Sequence, residues 1–389
     1  MIAMELQKAQ SGIRGLDDVT DGGLPRGRAT LICGGPGSGK TLLATTFVAK
    51  GASEFDEPGV LMTFEEHGDE IAAEVASLGI DLDALVRQKK LIIDCVRIER
   101  AEIEETGEYD LEGLFVRLGH AIDSIGAKRI ALDTIESLFS GLSNESILRA
   151  EIRRLFRWLK DKGVTAVVTG ERGQAGQLTR QGLEEYISDA VILLDHRVQD
   201  QISTRRLRVV KYRGSHHGTN EYPFLIDREG VAVLPVTTLR LQHTPPGGFL
   251  SSGIPGLDAM LGGQGYAAGS TVLISGGAGS GKTSIAAHAA DAACRRGEAC
   301  LVFLFEESGA QLARHMGSIG MDLDRWVSQG LLRIHAERPS RYGLESHLAY
   351  MHRALEAHKP KLVIIDPVTD LITCSTQSDV HSMLTRMID

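Results

Sequence analysis

The chain has 389 residues, a length at which one hydrophobic core stops growing and two domains are expected. Its composition, 42% apolar and 24% charged, is that of a globular protein, and a formal charge of −9 argues against coating nucleic acid through bulk electrostatics. Five scattered cysteines without a C-x-x-C pair exclude a zinc knuckle or disulfide framework. With no signal peptide at MIAMELQKAQ and no run near the roughly 20 apolar residues of a membrane span, a cytoplasmic protein is expected.

In chain order, residues 1–10 read as an N-terminal tail, 11–241 as a first domain, 242–249 (QHTPPGGF) as a Pro/Gly-rich linker and 250–389 as a second domain. The second domain repeats the first. SGIRGLDDVTDGGLPRGRATLICGGPGSGKT at 11–41 returns as SGIPGLDAMLGGQGYAAGSTVLISGGAGSGKT at 252–283. LMTFEE (61–66) matches VFLFEE (302–307), SLGIDLDALVRQ (77–88) matches SIGMDLDRWVSQ (318–329), and RIALDT (129–134) matches LVIIDP (362–367).

Within the first copy, the apolar runs Thr30–Cys33, Val60–Phe64, Arg129–Asp133, Val164–Thr169 and Ala190–Leu194 are strand-length and alternate with helical patterns. That predicts an α/β fold with a mostly parallel sheet covered by helices on both faces. Arg206–Arg213 and Glu221–Leu234 read as hairpin strands added at an edge. Only a short segment follows Asp366, and it ends within a predicted helix, Ser378–Asp389, so the second domain is expected to be truncated at its C-terminal end.

The chemistry concentrates in G-x-x-x-x-G-K-[ST]. Gly34 to Thr41 fits it directly between a strand and a helix, through Gly35, Pro36, Gly37, Ser38, Gly39, Lys40 and Thr41, with Leu42 next. Gly276 to Thr283 repeats it through Gly277, Ala278, Gly279, Ser280, Gly281, Lys282 and Thr283, with Ser284 next. Glycines let backbone N–H groups approach phosphate oxygens, and the following helix turns its positive end toward the same anions. ATP and Mg²⁺ are the expected ligands: Lys40 and Lys282 meet the β- and γ-phosphates, and the Thr41 and Thr283 hydroxyls ligate the metal. Asp133 and Asp366 end apolar strands, where a carboxylate can accept from a Mg²⁺-bound water. Glu65–Glu66 and Glu306–Glu307 also sit at strand ends, where neighbouring residues point to opposite faces, so one carboxylate of each pair is expected to face the attacking water. Lys211, Arg213 and the tandem histidines His216–His217 lie on an edge strand that reads by itself first as a solvated basic strand with Arg205, Arg206 and Arg208, and only second as cations projected toward a neighbouring subunit.

The doubled module, the paired F-E-E motifs and KYRGSHHGTNEYPF at 211–224 resemble the KaiC family, RecA-like ring ATPases of the cyanobacterial clock, over Ser11 to Asp389. The resemblance implies two tandem RecA-like P-loop domains and a homo-hexameric double ring with ATP between subunits. Lys211, Arg213 and His217 would then act on the neighbour's nucleotide. It marks Glu65 and Glu306 as the catalytic member of each pair, places Ser77 and Ser318 near the nucleotide, and implies Ser/Thr autokinase activity in the second domain. The acidic segment following Glu99 reads as a solvated connection, and the resemblance adds, as the alternative, regulatory proteins docking there on the first ring. The family's phosphorylation sites and second K-x-R-G segment fall at positions beyond residue 389, Ile319 replaces an aromatic residue, and PVTDLIT after Asp366 lacks an arginine. The alternative is a RadA/RecA-type DNA-dependent ATPase, disfavoured by the acidic balance and the lack of a basic, aromatic-interleaved segment.

Overall fold

The structure, a computed structural model, describes residues 6–96, 111–138, 145–173, 178–179, 188–199, 202–235, 247–341, 343–374, 380–381 and 383–385. The acidic segment up to residue 110, linker residues 242–246 and most of the predicted helix Ser378–Asp389 lie outside the described residues. The chain divides into two compact units near residue 239.

In the first unit, β1 (Lys8–Ala9) pairs antiparallel with β2 (Leu24–Pro25). Ala9 is fully buried, so the end of the segment read as a tail packs with the domain. The main sheet uses β3 (Ala29–Gly34), β4 (Gly59–Thr63), β5 (Leu91–Cys95), β6 (Arg129–Asp133), β7 (Thr165–Glu171), β8 (Ala190–Gln199), β9 (Ile202–Tyr212), β10 (Glu221–Asp227) and β11 (Gly230–Val233). Their order is β11-β10-β9-β8-β3-β7-β6-β4-β5. From β8 to β5 the pairings are parallel, whereas β9, β10 and β11 pair antiparallel as the expected edge addition.

The strands are apolar throughout because both faces are covered. Leu61, Ala131 and Val167 face the core shared with helices Lys40–Glu54 and Gly68–Ala76. Their neighbours Val60, Met62, Ile130, Leu132, Ala166 and Val168 face helices Glu112–Ile125 and Glu145–Asp161. The S-G-I-x-G-L-D motif is a local staple rather than a ligand site: the Ser11 amide donates to Asp17 Oδ1 at 2.9 Å and the Ser252 amide to Asp258 Oδ1 at 2.8 Å.

The second unit opens with β12 (Phe249–Leu250) paired antiparallel with β13 (Tyr266–Ala267), and has a three-stranded parallel sheet with β14 (Cys300–Leu304) between β15 (Leu332–Ala336) and β16 (Leu362–Asp366). These correspond to β4, β5 and β6. The segment before its P-loop, residues 271–275, is not a strand. In the first unit β3 is held by β7 and β8, and among the described residues the second unit has no counterpart of either. Leu273 is accordingly 82% exposed, whereas its counterpart Leu31 is fully buried.

Arg129, at the start of β6, is 1% exposed and inside the first unit. Its Nε donates to Glu57 at 2.6 Å, its Nη1 to the Phe47 carbonyl at 3.1 Å, and its guanidinium lies over the rings of Phe47 and Phe55. Removing one partner of a buried pair leaves an uncompensated charge. Glu57→Ala should therefore destabilise the first unit by about 3 kcal/mol, while Glu57→Ala/Arg129→Leu recovers part of it, as read by chemical denaturation. Leucine already fills the equivalent position in the second unit, at Leu362.

Candidate nucleotide-binding sites

The first P-loop closes between the end of β3 and helix Lys40–Glu54. Gly37 and Gly39 hold φ of 69° and 95°, backbone that L side chains rarely adopt. A Cβ on Gly39 would sit 2.7 Å from Ile226 Cδ1, and one on Gly34 would sit 2.5 Å from Ser38 Oγ. Around Gly35 the space is open. Lys40 Nζ donates to the Gly34 and Gly35 carbonyls at 2.9 and 3.1 Å, holding the ammonium over the loop. Ser38 Oγ is buried and has no hydrogen-bond partner among the described residues. A glycine cradle, a cation at its mouth and an orphaned hydroxyl fit a phosphate chain.

Thr41 Oγ1 donates to Asp133 Oδ2 at 2.8 Å, and Thr169 on β7 donates to the other carboxylate oxygen. Burial pushes the Asp133 carboxyl up, against the hydrogen bonds of Thr169 and Thr41 and the charge of Lys40. A threonine hydroxyl and an acidic oxygen side by side are the hard donors that suit Mg²⁺. Glu65 and Glu66 lie in a bend past β4 rather than within it, so strand alternation does not set their directions. Glu65 is exposed and accepts from Ser137 Oγ at 2.5 Å. The half-buried carboxyl of Glu66 is pushed up by burial first and then by Glu74, Asp133, Glu65 and Glu70.

The second site repeats this arrangement. Lys282 Nζ donates to the Gly276 and Gly277 carbonyls, both at 2.9 Å, and Thr283 Oγ1 donates to Asp366 Oδ2 at 2.7 Å. Gly279 and Gly281 hold φ of 74° and 86°. Glu307 lies 3.1 Å from His315 Nδ1.

The structure thus brings each P-loop lysine and threonine together with its aspartate. It does not bring Ser77 and Ser318 there by any direct contact. They cap the far ends of helices Gly68–Ala76 and Gly309–Gly317, each hydroxyl bonded to a carbonyl of its own last turn. Lys211 and Arg213 are also remote from their own P-loop. The Arg213 amide donates to the Asp189 carbonyl and the Asp189 amide to the Ala29 carbonyl, at the start of β3. The P-loop leaves the other end of that six-residue strand, about 16 Å away. The His217 ring packs on Tyr212, with centroids 6.2 Å apart.

Several contributors were not visible as site residues in the sequence. Thr169 and Ser137 carry no motif. Arg205 Nε donates to the Gly37 carbonyl at 3.0 Å, and Phe224 of the E-Y-P-F stretch packs against Gly39. The E-Y-P-F stretch at 221–224, close after K-x-R-G at 211–214, is the local pattern that marks this region in the sequence.

Two glycine cradles, each with lysine, threonine and strand-end aspartate on a RecA-like parallel sheet, define a tandem P-loop ATPase. The chain belongs to the KaiC ATPase family, whose model matches residues 9–238 and 250–389. It is 54% identical over 387 residues to the circadian clock protein KaiC2 of Synechocystis sp., spanning 100% of this chain and 68% of that protein. The circadian clock oscillator protein KaiC of Prochlorococcus marinus is 39% identical over 369 residues, covering 95% of this chain and 74% of its own length. That of Synechococcus elongatus is 38% identical over 367 residues, covering 94% and 70%. These relatives favour the KaiC reading over the RadA alternative. No helix among the described residues is long and apolar enough to cross a membrane.

The Asp133 carboxyl, raised in the fold, stabilises the protein at low pH and ceases to do so as pH rises through its folded-state value. Asp133→Asn should therefore raise the melting temperature of nucleotide-free protein at neutral pH by about 2–4 °C. The gain should vanish toward acid pH, and Mg²⁺-dependent nucleotide binding should weaken, as read by calorimetry.

Proposed function

We propose that both units bind Mg²⁺-ATP and hydrolyse it, in a homo-hexameric ring where each subunit completes its neighbour's site. The observation carrying this reading is the Thr–Asp pair beside the lysine-closed P-loop, present in both units with hydrogen bonds of 2.8 and 2.7 Å. Lys40 and Lys282 would neutralise the β- and γ-phosphates while the loop amides hold them. Thr41 and Thr283 would bind the metal directly, and Asp133 and Asp366 through water. Bound Mg²⁺ neutralises charge on the β- and γ-oxygens. Glu65 and Glu306, assisted by Glu66 and Glu307, would orient the attacking water and accept its proton as the bond to the leaving ADP breaks.

The position of Lys211 and Arg213 supports a role in trans. Cations at the end of the sheet remote from the P-loop can serve a γ-phosphate only on another copy. Resemblance to the KaiC proteins also supports Ser77 and Ser318 as members of the ATP pocket. Ser/Thr autokinase activity in the second unit, regulatory proteins docking on the first ring and a cytoplasmic location rest on resemblance to the KaiC proteins.

Steady-state ATP hydrolysis with and without single-stranded DNA tests this reading, and slow turnover indifferent to DNA is the expected result. Glu65→Gln/Glu66→Gln together with Glu306→Gln/Glu307→Gln should lower turnover about a hundredfold or more while leaving assembly intact. Lys211→Ala/Arg213→Ala should reduce first-unit turnover without abolishing ATP binding. Turnover driven by DNA, or loss of assembly together with turnover in the glutamine variant, would overturn the assignment.

A further inference from the structure

In each unit one side-chain pair ties the edge strand of the parallel sheet to the helix that covers it, and the two pairs differ in chemistry. In the first unit Asp94 of β5 meets Arg117 of helix Glu112–Ile125. The guanidinium donates from Nε to Oδ2 at 2.7 Å and from Nη2 to Oδ1 at 2.5 Å. In the second unit the matching residues are His335, fourth in β15, and Tyr350, which precedes Asp366 by as many residues as Arg117 precedes Asp133. The Tyr350 hydroxyl hydrogen-bonds with His335 Nδ1.

More groups gather around this second contact. The His335 ring stacks on that of His358, the last residue of helix Leu344–His358, with centroids 6.2 Å apart and planes within 13°. It also stacks on Phe303 of β14 at 5.6 Å and meets Tyr350 edge-on at 5.1 Å. Arg333 Nη1 lies 2.7 Å from His358 Nε2. An arginine only donates, so that nitrogen keeps its lone pair and His358 is neutral in this arrangement. His335 Nε2 is buried with no hydrogen-bond partner among the described residues. Protonation puts a hydrogen on both nitrogens of each ring. On His358 it abolishes the bond from Arg333, and on His335 it leaves a buried N–H without an acceptor. Two stacked cations would then stand beside a third. Glu337, just past β15, and Arg353 of the helix face Tyr350 with opposite signs, and β14 contributes the uncharged Phe303.

We propose that His335, Tyr350, His358 and Arg333 form a pH-sensitive clasp, which fastens helix Leu344–His358 to the edge of the second unit's sheet near neutrality and releases it in acid. Burial first, then the charge of neighbouring cations, holds both imidazoles below the usual histidine value. A histidine lowered in the fold contributes stability that is complete above its ordinary value and is lost as pH falls through that value toward the folded one. Neither an aspartate nor an arginine titrates in that window, so the Asp94–Arg117 pair gives the first unit no such switch.

The full-length chain in a Trp158→Phe background provides the test, because Trp326, buried in the second unit and bonded to Asp291, is then its only tryptophan. In urea unfolding followed by Trp326 fluorescence, the midpoint should fall by about 1 M between about pH 7.5 and 5.5. His335→Asp/Tyr350→Arg, which transplants the ion pair of the first unit, should remove at least half of that fall. His358→Ile, a single change to the residue at the matching position Ile125, should also lessen it and serves if the double exchange does not fold. His352→Gln, exposed on the same helix, should leave the fall in place. No fall in the parent, a fall of full size in the cluster variants, or an equal loss of it in His352→Gln would overturn the clasp.

Discussion

The hydrogen bond between Thr41 and Asp133 spans 92 residues of sequence, and most of the first unit is arranged so that it can form. Thr41 opens the helix after β3, and Asp133 closes β6. The two strands are not neighbours, because β7 runs between them. A parallel sheet places the C-terminal ends of all three on one edge, and the P-loop bends back over that edge. β7 adds a third polar group there, Thr169, so the carboxylate is buried with hydroxyl partners on both oxygens. Asp133 therefore combines heavy burial with ionic function, a conflict that a bound divalent ion would relieve.

The second unit tests how much of that environment the site requires. Thr283 and Asp366 meet at 2.7 Å, against 2.8 Å in the first unit, although its described sheet has three strands. The pair thus depends on β16 and the P-loop helix alone. The strand preceding the loop depends on its neighbours: with no counterpart of β7 or β8 among the described residues, residues 271–275 do not form a strand and Leu273 is exposed. Asp366 is correspondingly only half-buried. Local loop geometry is intrinsic to the glycine pattern, whereas strand geometry is a property of the pairing.

β9 links two functions that the sequence lists separately. Near its start Arg205 holds the Gly37 carbonyl of the subunit's own P-loop. Just beyond its other end Arg213 is anchored at Asp189, beside the start of β3. One continuous strand therefore touches the loop that would hold one nucleotide and leads to the cations proposed to serve another. Phe224 and Ile226 on β10 pack on Gly39 from the adjoining strand, which gives the E-Y-P-F stretch a packing role in its own subunit.

The sequence by itself determined the duplicated α/β organisation, the apolar strands, the antiparallel edge and both Lys–Thr–Asp sets. Each of these is written in local pattern: period, glycine spacing and residues at strand ends. It also carried the KaiC resemblance that the family match establishes. Tertiary structure alone decided that Ala9 is core rather than tail, that Arg129 is buried against Glu57, and that Thr169, Ser137 and Arg205 reach the first site. It also decided that Glu307 meets His315 at 3.1 Å. These partners lie on other elements, or a helical turn or more away, and carry no motif. Only the packing of helix and strand brings their side chains within hydrogen-bonding range.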